Sequence, residues 1–70
     1  MSVEVMIAGE MGSFRRVDKK NEFRIGEYYR TPNGKIYFYH SDDPKVEFML
    51  VLENDIPKNT PIIDLERGKW

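Results

Sequence analysis

The chain of 70 residues has no cysteine, one histidine, one tryptophan and almost no net charge. Each shortage excludes something. Without cysteine there is neither a disulfide framework nor a thiolate zinc site. With 11 basic and 12 acidic residues the formal net charge is −1. That balance argues against a protein that grips nucleic acid by bulk charge, and equally against a heavily acidic DNA mimic. The longest apolar run, Phe48 to Leu52, is far short of the roughly 20 residues of a membrane-spanning helix. Glu4 interrupts the first hydrophobic residues and no basic leader precedes them, unlike a secretory signal. The expectation is a cytoplasmic protein with no membrane partner. Internal repeats, low-complexity tracts and long helical stripes are also missing.

What is present is enough to fold. Apolar residues make up 40% and aromatic residues 13%, outside the composition of disordered chains. The length fits one small domain, residues 1–70. A domain of this size buries only about 60% of its unfolded surface, and no covalent staple compensates. A partner or a second copy would add stability by mass action, so a homo-oligomer is one expectation. The charges are unevenly spread. Residues 14–35 hold seven basic and three acidic side chains, whereas residues 36–70 hold four basic and seven acidic ones.

The periodicity is that of strands. Val3, Val5 and Ile7 share one parity, as do Phe23, Ile25 and Tyr29. So do Ile36, Phe38 and His40, and then Val46, Phe48, Leu50 and Leu52. Each run follows the two-residue repeat of a pleated sheet. Breakers separate them: Gly9 to Gly12, Asp18 to Asn21, Thr31-Pro32-Asn33-Gly34, Ser41 to Lys45, and Asn54 to Pro61 with its two prolines. The last of these reads as a bend or a single tight helical turn, before a short final strand from Ile62 to Leu65. The pattern predicts an all-β fold of five strands, with a sixth near Phe14 to Val17, in a small antiparallel barrel. In the lengths of its elements this layout resembles an SH3-like barrel, although the sequence signatures of SH3 peptide grooves are absent. An OB-fold fits less well, because no helix fits between the third and fourth strands.

The sharpest local signal is the hairpin around Asn33-Gly34. If these two residues form a type I′ turn, Tyr29 faces Phe38 and Arg30 faces Tyr37. Phe23, Ile25, Tyr29, Ile36 and Phe38 then point inward. Arg24, Tyr28, Arg30, Lys35, Tyr37 and Tyr39 point outward as a surface of rings and cations. The rival is a type I turn with Pro32 second and Gly34 as a bulge residue, which shifts the register by one. Hydrophobic patterning favours the first; Pro32 favours the second. The first is the expectation carried forward.

Tyr and Arg are enriched at protein-binding hot spots. Rings beside cations also suit unpaired bases and phosphates. Tyrosines pair well across strands for stability alone. His40 lies near Asp42 and Asp43, but no further His or Cys could complete a metal site. The first hairpin register also sets His40 against Glu27 as a plain ion pair. No serine has a His–Asp relay. Gly9-Glu-Met-Gly12 lacks the flanking helices of a nucleic-acid-binding GxxG loop, and Gly34-Lys35 lacks the rest of a phosphate loop. Catalytic residues, cofactor and metal are therefore not expected. Met1, Met6, Met11 and Met49 read as gap-fillers and loop residues. Trp70 reads as a free tail, a cover for one barrel end or a partner anchor.

The leading expectation is a non-catalytic module that docks a β-sheet face on a larger protein through Arg24, Tyr28, Arg30, Lys35, Tyr37 and Tyr39. In this it resembles the small accessory and inhibitor proteins that phages and mobile elements encode. The alternatives are a single-strand nucleic-acid binder on the same face and a homo-oligomeric structural subunit that pairs edge strands.

Overall fold

A computed structural model describes residues 4–20, 22–41, 43 and 47–68. The strands are β1 (Val5–Met6), β2 (Ser13–Arg16), β3 (Tyr28–Arg30), β4 (Ile36–Tyr39), β5 (Phe48–Val51) and β6 (Ile62–Arg67), with one 3₁₀ turn at Glu53–Asp55. They make a single curled half-barrel sheet in the order β1-β2-β6-β3-β4-β5. The all-β fold expected from the periodicity is what forms, and the sixth strand is real. No helix among the described residues is long and apolar enough to cross a membrane. Strands β3, β4 and β5 are a meander of adjacent antiparallel pairs. Strand β6 then returns to lie between β2 and β3, antiparallel to the first and parallel to the second. Trp70, Asp42 and the start of the expected first strand at Val3 lie outside the described residues.

One side of the sheet carries the core. Ile7, Phe14, Tyr29, Tyr37 and Leu65 are buried together, and Val5, Phe23, Tyr39, Phe48 and Ile63 pack against them. Sheet parity explains the membership. Tyr29 lies opposite both Tyr37 and Ile63, Arg16 opposite Leu65, and Tyr39 opposite Phe48. Cross-strand partners share a face.

The hairpin takes the rival register, which overturns the expected one. Tyr28 pairs with Phe38, Tyr29 with Tyr37 and Arg30 with Ile36. The turn chemistry is the reason. Pro32 and Asn33 occupy the middle of the turn, and Gly34 follows at φ 90°, a left-handed position that suits glycine. Gly34 N–H donates to Thr31 C=O at 2.9 Å, and Thr31 N–H to Lys35 C=O at 2.8 Å. A three-residue loop ending in a left-handed bulge results.

Strand β4 is thereby turned over relative to expectation. Tyr37 and Tyr39 face the core; Ile36 and Phe38 face away from it. Patterning misjudged the register because both parities of β4 are apolar enough to bury. The expected strand through Phe23 and Ile25 is also shortened. Glu27 N–H closes a turn on Arg24 C=O, and Gly26 sits at φ 94°. Phe23 still reaches the core, its ring 4.8 Å from that of Tyr29, but Ile25 is exposed.

Candidate protein-docking face

The side of the sheet turned away from the core is divided in character. Over β2 and β6 it is polar, with Arg15 Nε 2.8 Å from Glu66 Oε1. Over β3, β4 and β5 it is apolar except for Arg30. Register places Ile62, Tyr28, Phe38 and Met49 in one straight row across four strands, about 14 Å long at the usual strand spacing. The Tyr28 and Phe38 rings are 4.8 Å apart, and His40 stacks beyond Phe38 at 6.4 Å with a 9° interplanar angle. The neighbouring row is Asp64, Arg30, Ile36 and Val51. There Arg30 Nε donates to Asp64 Oδ1 at 2.9 Å. Ile36 is buried, whereas Met49 is 49% exposed.

The six residues assigned from sequence are not brought together. Tyr28 and Arg30 stand on this outer side. Tyr37, at 5% exposure, belongs to the core, and Tyr39 packs against it, stacked on Phe48 with centroids 4.8 Å apart. Lys35 lies at the hairpin tip, its Nζ 3.6 Å from Glu10 Oε2. Arg24, in the loop before β3, donates from Nε to Glu22 Oε1 at 2.7 Å. The face of rings and cations as first drawn is therefore corrected. The rows above replace it, with Phe38, Met49 and Ile62 as members that sequence reasoning missed. The signal for Met49 was present in the uninterrupted apolar run of β5, where it was read as gap-filling. His40 is likewise not opposite Glu27. Tyr39 holds that position, its N–H donating to Glu27 C=O at 3.1 Å.

What satisfies the hydroxyl of the buried Tyr37 is Glu10, another residue the sequence did not mark. The Tyr37 hydroxyl donates to Glu10 Oε2 at 2.8 Å, and Asn33 Nδ2 to Glu10 Oε1 at 3.1 Å. The Glu10 side chain is only 3% exposed. The Tyr37 hydrogen bond, helped by Asn33 and Lys35 against the cost of burial, holds the Glu10 carboxyl below its ordinary value. Burial first, and the Glu10 carboxylate second, push the Tyr37 phenol up to about 12. The clasp ties the Gly9–Gly12 turn to the hairpin tip.

A second internal network absorbs the basic segment. Arg16 is buried. Its guanidinium bonds Asp18 in bidentate fashion at 2.8 and 3.0 Å and donates to Glu22 C=O at 2.6 Å. Glu27 lies 3.5 Å away. Tyr29 hydroxyl donates to Glu27 at 3.1 Å and accepts from Arg24 N–H at 2.9 Å. Desolvation carries the Tyr29 phenol to about 12, with Glu27 adding to the rise. Arg15, Arg16, Lys19, Arg24, Arg30 and Lys35 each have a carboxylate within ion-pair distance. The surplus of positive charge in residues 14–35 is thus largely met inside the molecule.

Strand β5 borders the apolar rows and forms one edge of the sheet. Natural edges are usually blunted by shortness, lysine, proline or a bulge. The opposite edge, β1, is only two residues long. Strand β5 runs Phe-Met-Leu-Val with none of these devices, and Leu50 is 56% exposed. No protein-family model, curated protein or solved structure matches the chain.

Proposed function

We propose that the chain is a non-catalytic protein-binding module that works in the cytoplasm as an accessory or inhibitory subunit, docking the outer face of β6-β3-β4-β5 on a larger protein. The observation that supports this reading is the Ile62–Tyr28–Phe38–Met49 row, four apolar side chains aligned on the side away from the core. Arg30 and Asp64 flank it as a paired polar rim. An apolar centre with a polar margin is the common anatomy of protein interfaces. The internal pairing of the cations favours this reading over single-strand nucleic-acid binding, which draws on unpaired lysines and arginines beside stacking rings.

The test is affinity capture from the native cells with wild type, Tyr28→Ala, Phe38→Ala and, as a control on the polar part of the same face, Arg15→Ala. A partner retained by wild type and Arg15→Ala and lost by the two row variants supports the proposal. A loss of about 2 kcal/mol per hot-spot residue is about 30-fold in affinity. Folded row variants that recover the same partners as wild type overturn it. So does oligonucleotide binding that weakens steeply with salt.

A further inference from the structure

We propose that β5 is a self-pairing edge, and that two copies of the chain join β5 to β5 in antiparallel fashion with Met49 facing Met49 of the second copy. The inference deepens the docking reading, on which its purpose rests, because the pairing would join the apolar row of one copy to that of the other.

The backbone sets the geometry. His40 N–H donates to Glu47 C=O at 3.0 Å. Hydrogen-bonded and non-hydrogen-bonded pairs alternate along an antiparallel ladder, so Met49 and Val51 direct their N–H and C=O groups to β4. Tyr39 agrees with this. Its N–H goes to Glu27 and its C=O accepts from Gly26, which leaves the Tyr39–Phe48 pair without ladder bonds. Phe48 and Leu50 therefore direct their backbone groups away from β4, and no described strand lies on that side. An antiparallel copy meets these groups with the same groups of its own, as a two-fold interface requires.

Two registers pair Phe48 and Leu50 with described residues alone. One sets Leu50 on the axis and brings Glu47 towards Glu53 of the second copy, like charges that disfavour it. The other sets Met49 on the axis. Phe48 then exchanges two hydrogen bonds with Leu50 of the second copy, Leu50 does the same with Phe48, and Glu47 meets Val51. The second register pairs no like charges and buries the exposed Met49 and Leu50. It also continues Ile62–Tyr28–Phe38–Met49 into the same row reversed, doubling the length of the apolar stripe.

Because the chain has no cysteine, single thiols report the register directly. Facing residues of a non-hydrogen-bonded pair stand about 4.5 Å apart at Cα, within disulfide range. Under mild oxidation Met49→Cys is expected to give a dimer of twice 8.3 kDa, whereas Leu50→Cys and Val51→Cys give little. Sedimentation of the unmodified chain up to about 1 mM, the range in which a small interface associates, is expected to show a concentration-dependent dimer. Leu50→Pro removes an outward donor and spares the bonds to β4, so it is expected to remain a monomer with an unchanged circular dichroism spectrum. Leu50→Lys, on the same edge, supplies a second monomeric control.

A wild-type monomer throughout overturns the pairing, as does equal cross-linking at positions 49, 50 and 51. Efficient cross-linking at 50 alone overturns the register. The docking reading fails separately, through capture that is indifferent to Tyr28 and Phe38.

Discussion

The substitution Tyr37→Phe separates the two roles that tyrosine can play in β4. It deletes one oxygen from a buried ring and leaves packing intact. The lost bond, 2.8 Å to a carboxylate that is almost wholly buried, is charge-assisted, and such bonds contribute about 1.5–3 kcal/mol. Asn33 and Lys35 still serve Glu10, which places the loss near the middle, at about 2 kcal/mol. For a domain this small that corresponds to a fall in Tm of roughly 10 °C.

The pH dependence carries the stronger test. The Glu10 carboxyl is held below its ordinary value in the folded chain. Its contribution is therefore complete above the unfolded value of about 4.3 and is lost as the pH falls through the lower folded value. Urea unfolding of wild type, Tyr37→Phe, Glu10→Gln and the double variant at neutral pH is expected to give a coupling energy above about 1 kcal/mol. At about pH 2.5 the gap between wild type and Tyr37→Phe is expected to narrow. A loss under about 0.5 kcal/mol at neutral pH, within the range of ordinary surface substitutions, would refute the reasoning. An undiminished gap in acid would also do so.

Three further outcomes are expected. Gly34→Ala should cost about 1 kcal/mol through the left-handed backbone alone, since a Cβ there meets no atom within 4 Å; unchanged urea stability would contradict the bulged turn. Tyr29 and Tyr37, both at about 12, favour the folded state as neutral phenols. Their contribution is full below the ordinary tyrosine value of about 10 and fades as the pH rises through about 12. A spectrophotometric titration should then show at least two phenols ionising late, together with unfolding; all ionising in one step near pH 10 while the fold persists would contradict it. Arg16→Met should cost about 2 kcal/mol by removing the charge-assisted bonds of a buried guanidinium to Asp18 and to Glu22 C=O, and Arg16→Lys should not restore it, because an ammonium cannot match the bidentate bond to Asp18. Equal stability of Arg16→Lys and wild type in urea would refute that account.

Strand content was legible because alternation survives any error of register: Phe48 to Val51 and Ile36 to Tyr39 read as strands whichever face they bury. The turn was legible too, in Pro32, Asn33 and Gly34. What could not be read was which side of β4 faces inward, since Tyr37 and Tyr39 bury as readily as Ile36 and Phe38 once an acceptor exists. That acceptor, Glu10, lies 27 residues from Tyr37, and no local pattern announces it. The docking face went wrong with the same parity. Tyr28 and Arg30 were placed correctly because they belong to β3, whereas the β4 members were exchanged for Phe38. The position of β6 was equally hidden, because a parallel neighbour leaves no short turn in the sequence.

That position has a consequence for how the chain is assembled. Phe14 is matched to Arg67, and Tyr28 to Ile62, so the β1-β2 ribbon and the β3-β4-β5 meander are held in one sheet through β6. During synthesis both halves wait for β6, which is made after them, and a fragment that stops short of Ile62 has, among the described residues, no ladder to unite them. A synthetic peptide spanning Ile62 to Arg67, added to such a fragment, is the natural starting point for a split reporter whose signal depends on reunion.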